Sequence, residues 1–460
     1  MDVALLSRIQ FGWTVTFHYF FPPMTIGLSW MLVMIEGLYL KTKDVRYKEM
    51  AQFWTKIFSL FFVIGVVSGF VLVFGFGNNW ANFSRFVGDV FGSMLAAEGI
   101  FAFFMEGSFL GIMLFGWDRV KPWLHYFSTI LVSLGATFSA TWIVMANSWM
   151  QTPSGYKIIG EGEHKRAVVI NVWEAFFNPS FLDRLCHVLL GCWLTAVFFL
   201  LSISAYYFLR KKHLWFAGFT MRLALINGGI ALLLQLLSGD FSARGAEKHQ
   251  PLKFASMEAV YQTKEKGTPF YIVGFVSPKN DKVYGISIPH FLSLMTYRDL
   301  HRSVKGLNEF PREQWPYVPI VFYSYRTMIF SWCFMVFLIG TGGILWKRRS
   351  VRKHKWYLWC GILSVLLPFV ANTAGWFTAE FGRQPWVVYN VMLTAEAVSS
   401  VVAGYQVLSS LLMFIVLYVL LFLLFLFLLN QKIQRGPGVE TGKKFSDQGA
   451  LHPFAKGENL

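Results

Sequence analysis

Charged side chains are scarce in this chain. Asp, Glu, Lys and Arg together make up 14% of its 460 residues, whereas 55% are hydrophobic and 18% are aromatic. An average soluble domain has about 25% charged residues. The shortage of charge excludes an ordinary soluble domain and is typical of a polytopic membrane protein.

Cysteine is also scarce, and the four cysteines form neither a CxxC pair nor a CxxCH motif. These absences argue against sites built on paired cysteines and against a covalently attached haem. All four lie in apolar runs, where we expect them to be buried small hydrophobic residues. They are Cys186, Cys192, Cys333 and Cys360.

Long apolar runs dominate the rest of the sequence. Each is about 20 residues or longer, enough to cross a hydrocarbon core of roughly 30 Å. The runs lie near residues 12–40, 53–77, 93–116, 124–149, 183–209, 218–240, 319–345, 356–376 and 397–429. The sequence therefore predicts an all-α membrane protein with nine transmembrane helices.

The distribution of Lys and Arg predicts the orientation. Residues 41–52, 117–123, 210–217 and 346–356 hold fifteen Lys and Arg, whereas residues 78–92, 150–182 and 376–396 hold five. Because positive links stay in the cytoplasm, we expect the N-terminus outside and the C-terminus inside. The net charge of +16 is then explained by topology, and no nucleic-acid partner is expected.

This topology divides the chain into four parts. Residues 1–240 carry spans one to six, and residues 241–318 form an extracytoplasmic loop. Residues 319–430 carry spans seven to nine, and residues 431–460 form a cytoplasmic tail that we expect to be disordered.

Three residues in the spans have side chains that bind haem iron in other proteins. His18 lies among aromatic residues in the first span, His187 near the outer end of the fifth, and Met328 in the seventh. A Met and a His together make a low-spin haem of raised potential, and Arg326 beside Met328 suits a haem propionate. The alternatives are hydrogen-bonded histidines and a methionine that fills the core.

The third span contains two glutamates, Glu98 and Glu106. Their separation corresponds to about 12 Å of helix rise and returns them nearly to one face. Carboxyl groups stacked along one helix suggest a proton path. The alternative is that each glutamate has a structural partner.

Two polar stretches lie on the expected outer side. In GWFTAEFGRQPW, Trp376 precedes Glu380 and Arg383, which are close enough to pair across one helical turn. In QPLKFASME, Lys253 and Glu258 lie in the outer loop, and we expect an exposed, partly amphipathic helix there. A structural ion pair and a solvated loop helix are the simpler explanations.

Taken together, these motifs resemble subunit I of cytochrome bd quinol oxidase from the first span to the ninth. The matching segments are LSRIQFGWTVTFHYFFPPMTIGLS, ANSWMQTPSGY, QPLKFASMEA, FYSYRTM and GWFTAEFGRQPW. The outer loop lacks a long insertion, so the chain resembles the short-loop branch of that family. The resemblance implies two four-helix bundles and one peripheral helix.

The resemblance also implies the haem ligands. His187 and Met328 would be axial ligands of a low-spin haem b, with Arg326 near its propionates. His18 and Glu380 would serve a high-spin haem b and a haem d, in an order that differs among members, with haem b in place of haem d as the alternative.

Further roles follow from the same resemblance. Arg383 would support a propionate, Trp376 would lie beside the haems, and Glu98 and Glu106 would lie on the proton route. Lys253 and Glu258 match residues of the quinol-binding loop.

The implied function is a terminal oxidase of aerobic respiration. It would oxidise quinol at the outer face of a prokaryotic cytoplasmic membrane and reduce O₂ with cytoplasmic protons, without a pump. The expected partners are a second large subunit and a small single-helix subunit. An ion-coupled secondary transporter and an electron relay without an oxygen site are the alternatives.

Overall fold

The computed structural model describes residues 2–438. In this part of the chain, nine helical stretches are long and apolar enough to cross a membrane, which confirms the predicted number. We number them span 1 to span 9: Val3–Thr42, Val45–Asn78, Ala81–Phe115, Pro122–Gln151, Phe181–Arg210, Leu214–His249, Val318–Lys347, Lys355–Phe381 and Gly404–Arg435.

The spans and the links between them contain seventeen α-helices among the described residues. In chain order these are α1 (Val3–His18), α2 (Pro22–Thr42), α3 (Val45–Asn78), α4 (Ala81–Phe86), α5 (Gly88–Ala97), α6 (Phe104–Phe115), α7 (Pro122–Gln151), α8 (Val172–Phe176), α9 (Phe181–Arg210), α10 (Leu214–His249), α11 (Pro251–Met257), α12 (Phe291–Tyr297), α13 (Val318–Lys347), α14 (Lys355–Leu363), α15 (Leu366–Phe381), α16 (Thr394–Ala397) and α17 (Gly404–Arg435).

Two spans are broken where the sequence disfavours a continuous helix. Span 1 stops after His18 and restarts at Pro22 and Pro23, whose missing N–H groups are tolerated only in the first turn of a helix. Span 8 is interrupted before Leu366 in the same way, with Pro368 in the first turn of α15. The first break leaves His18 at a helix end, next to an irregular turn.

Span 3 contains a π-helical segment, Glu98–Phe103, between α5 and α6. Short π segments are rare and occur often at functional sites. This segment begins at Glu98, which is predicted to lie on a proton path. A π-helical turn contains one more residue than an α-helical turn. The side chains before the segment therefore point in other directions, relative to those after it, than they would in a continuous α-helix.

The packing forms two four-helix groups and one peripheral helix, as the resemblance implied. Spans 1 to 4 pack through α2, which contacts α3 and α7, and spans 5 to 8 pack through α9–α10 and α13–α15 contacts. The contacts of α2 and α7 with α9 join the two groups. Span 9 lies against α1 and α3 and is mostly exposed, which suits a helix facing lipid or a partner subunit.

Three antiparallel hairpins follow spans 4, 6 and 8. They are β1 (Tyr156–Ile159) with β2 (Arg166–Val169), β3 (Phe270–Ser277) with β4 (Lys282–Ile288), and β5 (Trp386–Val388) with β6 (Met392–Leu393). Because consecutive spans reverse direction, all three hairpins lie on the same side of the bundle. That side is the outer face in the predicted orientation, and the orientation itself stays a prediction.

Two expectations from the sequence need comment. Only Cys192 is buried, because Cys186 and Cys333 are exposed and Cys360 is half-buried, so the prediction for the cysteines was wrong for those three. An apolar residue of a membrane helix can face lipid or a partner, so it need not be buried within its own chain. Helix α17 continues to Arg435, and residues 439–460 of the predicted tail lie outside the described residues.

Candidate functional site

Glu380 is the centre of a polar network at the end of α15. Its Oε1 accepts hydrogen bonds from Asn147 Nδ2 at 3.0 Å and from Gln151 Nε2 at 3.2 Å, both on α7. Its Oε2 accepts from Arg383, one turn further along the chain. The pairing of Glu380 with Arg383 is the one that their spacing suggested.

The same network collects two more cations. Arg184 donates to Asn147 Oδ1 at 2.6 Å, and Lys253 donates to the side-chain oxygens of Gln151 and Gln250, the latter at 2.6 Å. Burial lowers the pKa of Lys253 well below its usual value, and the nearby Arg184 and Arg383 lower it further. Two guanidinium cations and the buried Lys253 amine therefore lie around a single carboxylate.

Aromatic rings close one side of this network. The Arg184 guanidinium lies 5.9 Å from the centre of the Trp376 ring, and Tyr19 meets that ring edge-on at 5.6 Å. Tyr19 directly follows His18 at the end of α1. Residues from spans 1, 4, 5 and 8 and from the outer loop thus meet at one place.

Several buried donors in this network have no hydrogen-bond partner in the described part of the chain. They are Arg383 Nε and Nη1, Arg184 Nε and Gln250 Nε2. A buried donor without a partner costs about 1–3 kcal/mol, so such a group normally has a partner or a ligand. Unpaired N–H groups on buried arginines, combined with excess positive charge, fit an anionic ligand such as a haem propionate.

His18 occupies a pocket on α3. Its Nδ1 lies 3.0 Å from Ser68 Oγ, which itself donates to the carbonyl oxygens of Ile64 at 2.8 Å and Gly65 at 3.0 Å. A Cβ atom at Gly69 would lie 3.2 Å from His18 Cε1, so glycine makes room for the ring. Because the Ser68 proton is already donated, its oxygen accepts from Nδ1–H, and Nε2 is left as the nitrogen with a free lone pair.

His187 and Met328 lie at one level of the second bundle. The His187 ring contacts Gln235 at 3.1 Å and Ser238 at 3.3 Å, both on α10. Trp332 lies on α13, one turn after Met328, and its Nε1 donates to the carbonyl oxygen of Leu232 on α10 at 3.3 Å. Because α10 and α13 are antiparallel, Met328 lies level with the residues of α10 that contact His187.

The two glutamates of span 3 both face α7. Ser139 Oγ donates to Glu98 Oε1 at 3.0 Å. Glu106 is buried. A Cβ atom added at Gly135 of α7 would lie 3.0 Å from the Cβ atom of Glu106, so α6 and α7 approach closely there. The geometry brings both carboxyl groups to one helix interface, and their role on a proton path stays a prediction.

The expectation of an exposed loop helix at Lys253 and Glu258 was wrong. Both side chains are buried, and every residue from Leu252 to Met257 is buried as well. The segment is apolar enough to pack between the outer loop and α10 and α13, so its two charges are taken inside with it. Each charge then needs a buried partner.

Glu258 finds that partner in Arg326. Arg326 Nη2 lies 2.6 Å from Glu258 Oε2, and Arg326 Nε donates to Tyr271 O at 2.8 Å. Burial raises the pKa of Glu258, and Arg326 opposes that rise. Arg326, which the resemblance placed near a propionate, is thus paired with a residue of the outer loop, and its Nη1 has no hydrogen-bond partner among the described residues.

We expect Arg326→Met to destabilise the protein by about 3–5 kcal/mol, because it leaves a buried carboxylate without its cation. Glu258 would then bind a proton on folding, since its folded-state pKa lies above its unfolded value. The stability that the variant gains from this bound proton is present at low pH and is lost as the pH rises through the raised pKa of Glu258. Thermal unfolding should show a larger deficit near pH 8 than near pH 5.5.

The matched control is Arg326→Met combined with Glu258→Gln. It removes both charges, so it should recover most of the stability and abolish the pH dependence. A deficit of Arg326→Met that is equal at both pH values would contradict a buried ionised Glu258.

Sequence reasoning missed four polar residues of the described bundle. Arg184 and Gln151 belong to the network around Glu380, and Glu36 forms a buried pair with His125. Glu36 was detectable as a lone acidic residue in the first apolar run, and His125 as a histidine at the start of the fourth. Their pairing was not detectable, because they are 89 positions apart.

No group of three or more His, Cys, Asp or Glu side chains among residues 2–438 could hold a metal ion. The candidate ligands are instead single residues beside cationic and aromatic side chains. The fold is that of a multi-pass membrane protein, and its candidate site combines isolated His, Met and Glu side chains with buried arginines, a set of side chains that suits an anionic redox cofactor.

The comparisons with known proteins identify the family. Residues 6–437 match the family described as "Cytochrome bd terminal oxidase subunit I". The chain is 38% identical to "Cytochrome bd ubiquinol oxidase subunit 1" of Bacillus subtilis (strain 168), over 95% of this chain and 94% of that protein. It is 30% identical to "Cytochrome bd-II ubiquinol oxidase subunit 1" of Escherichia coli (strain K12), over 97% and 99%.

A solved structure agrees with these sequence matches. The bd oxidase from Geobacillus thermodenitrificans superposes with a TM-score of 0.86 at 29% identity, covering 95% of this chain and 99% of that one. The chain belongs to the cytochrome bd terminal oxidase subunit I family. It is therefore a subunit of a quinol:oxygen oxidoreductase in the bacterial cytoplasmic membrane, and its family uses haem and typically works with a subunit II.

Proposed function

We propose that this chain is the haem-carrying subunit of an electrogenic terminal quinol oxidase. The observation that carries the proposal is the network around Glu380, where two arginines, a buried lysine and several unpaired buried donors surround one carboxylate. His187 and Met328 would hold a low-spin haem b. His18 and Glu380 would serve a high-spin haem b and a haem d.

When bound, the haems supply electron transfer and, at an open iron position, oxygen reduction. The chain's own residues hold and orient them. Arg184 and Arg383 would neutralise propionate charge, and Trp376 and Tyr19 would exclude water from the same region. The Ser68 hydroxyl would hold the His18 ring through Nδ1 and leave Nε2 as the nitrogen able to bind iron.

Protons are handled on both sides of the membrane. On the outer side, the loop residues Glu258 and Lys253 bind quinol, and Glu258 takes up the proton that quinol loses. On the cytoplasmic side, Glu106 and then Glu98 deliver protons towards the haem pair. Because electrons and protons reach oxygen from opposite faces, each charge moved against 100 mV stores about 2.3 kcal/mol without a pump.

Two subunits complete the proposed oxidase. A second large subunit would cover part of the exposed apolar surface of spans 2 and 3, where Phe70, Phe74 and Phe104 are exposed. A small single-helix subunit would bind at the periphery. An electron relay without an oxygen site is the remaining alternative, and family membership removes the argument for a secondary transporter.

The test is a reduced-minus-oxidised absorbance spectrum of the purified oxidase, repeated with carbon monoxide. We expect bands of both b-type and chlorin-type haem and a shift on adding carbon monoxide. Bands of b-type haem alone, with a shift, would indicate a variant with haem b throughout. A spectrum insensitive to carbon monoxide would favour the electron relay, and the lack of any haem band would refute the proposal.

A further inference from the structure

A second ionisable cluster lies away from the Glu380 network and has no part in the mechanism above. Glu36 on α2 and His125 on α7 are both buried, with Oε1 and Nδ1 2.5 Å apart. Thr129 Oγ1 donates to Glu36 Oε2 at 2.6 Å, and His125 Nε2 lies 3.2 Å from Met113 O. Buried ionisable residues inside a membrane protein are expensive and mark functional sites by default.

The contacts determine how many protons the pair holds. Both ring nitrogens of His125 face acceptor atoms, Glu36 Oε1 and Met113 O. Both contacts are hydrogen bonds only if the pair is an imidazolium with a carboxylate, or a neutral imidazole with a carboxylic acid. In either form one proton lies between Nδ1 and Oε1 and another is on Nε2, which is one proton more than a carboxylate beside a neutral imidazole holds.

The position of the pair connects it with the two glutamates of span 3. His125 contacts span 3 at Met113, seven residues after Glu106, which is about 10 Å of helix rise and nearly two whole turns. Met113 and Glu106 therefore share the face that packs on α7. The pair continues the row of Glu98 and Glu106 along one helix interface, towards the basic links that we expect in the cytoplasm.

The surroundings hold the pair in place and shield it. The Trp117 ring lies against His125, with the ring centres 3.9 Å apart and the planes tilted by 36°. Trp117 lies in the short link between spans 3 and 4. The next residue of that link, Asp118, forms an ion pair of 2.7 Å with Lys48 of α3. The Glu36–His125 pair thus lies next to the link between spans 3 and 4. Polar groups of the link lie on one side of the pair, and Glu106 lies on the other side, beyond Met113.

We propose that Glu36 and His125 form a proton-loading pair at the cytoplasmic end of the proton path, resting on the function proposed above for Glu106 and Glu98. In the loaded pair the His125 Nε2–H bond breaks and the proton passes through intervening water to the Glu106 carboxylate. The pair is left with a neutral imidazole that still donates from Nδ1 to the Glu36 carboxylate. A proton from cytoplasmic water then binds Nε2 and restores the loaded pair.

The test uses the complete oxidase in lipid vesicles. Carbon monoxide is photolysed from the fully reduced enzyme in the presence of O₂, and the voltage phase that reports proton uptake is timed. We expect Glu36→Gln to slow that phase about tenfold or more, because a neutral amide cannot stabilise the imidazolium that holds the transferable proton. Glu36→Asp keeps a carboxyl group and should recover part of the rate, with unchanged haem bands in both variants.

The matched control is Ser29→Ala, which removes a hydrogen bond of 3.1 Å between Ser29 on the same helix and Ser133 on α7 without removing an ionisable group. It should leave the proton phase unchanged. If Glu36→Gln slows the phase no more than Ser29→Ala does, or only lowers the unfolding temperature, the pair is a structural clamp and the proposal is overturned.

Two further variants separate the possible failures. If Glu106→Gln slows the phase and Glu36→Gln does not, the loading pair is refuted and the proton path survives. If neither slows it, the path through Glu106 fails together with the loading pair. Should Glu36→Gln fail to assemble, Thr129→Val tests the same pair, because it removes the donor to Oε2, and an unchanged proton phase would overturn the proposal.

Discussion

Replacing His187 by Ala should remove the low-spin haem band from the reduced-minus-oxidised spectrum, and Met328→Leu should convert that haem to a high-spin form. Ala leaves no ligand on α9, whereas Leu fills the volume of Met without a sulfur to bind iron. Quinol oxidation should fall to background in both variants. The measurement is the spectrum of the purified oxidase, with haem content determined per chain.

The folded structure should survive the second substitution. A Met→Leu exchange conserves volume and costs less than about 1.5 kcal/mol in a packed core. Met335→Leu is the matched control, because Met335 is buried on the same helix two turns further on and should leave the spectrum unchanged. An unaltered low-spin band in Met328→Leu would refute Met328 as an axial ligand.

Arg383→Met should have the second large effect. It removes the cation that pairs directly with Glu380, while Arg184 remains bound to Asn147 and does not replace it. Removing one partner of a fully buried pair costs about 3–5 kcal/mol, and the cost here should be smaller because 32% of the Glu380 side chain is exposed. We therefore expect a lower unfolding temperature and the loss of a haem whose propionate Arg383 neutralises.

A double variant separates those two effects. Arg383→Met with Glu380→Gln removes both charges, so it should regain much of the unfolding temperature. It should not regain the haem, because both the proposed ligand and the propionate partner are gone. If the double variant regained a full set of haem bands, Glu380 and Arg383 would be a structural pair alone.

Much of the fold was predictable because the bilayer imposes a local rule on the sequence. A span needs about 20 consecutive apolar residues, whatever its neighbours are, so nine runs predicted nine spans. The broken spans were less visible, although Pro22 and Pro23 mark one break in the sequence. The π-helical segment beginning at Glu98 contains neither a proline nor a pair of glycines, so the sequence gives no signal of it.

The candidate site was predictable in part. Rare residue types in apolar surroundings, such as His18 and Glu380, stand out in any membrane span, so their selection needed only the sequence. Their partners did not stand out. Asn147 and Glu380 are 233 positions apart, and Lys253 and Gln151 are 102 apart.

The sequence by itself determined the class of this protein, its nine spans and the side chains able to bind iron or carry protons. Only the tertiary structure decided that Lys253 and Glu258 are buried, that Arg326 pairs with Glu258, and that two arginines and a lysine gather around Glu380. The physical reason is the range of the interactions. Transfer of a helix into lipid depends on neighbouring residues along the chain, whereas a buried charge is stabilised by whichever distant helix brings its partner within hydrogen-bond distance.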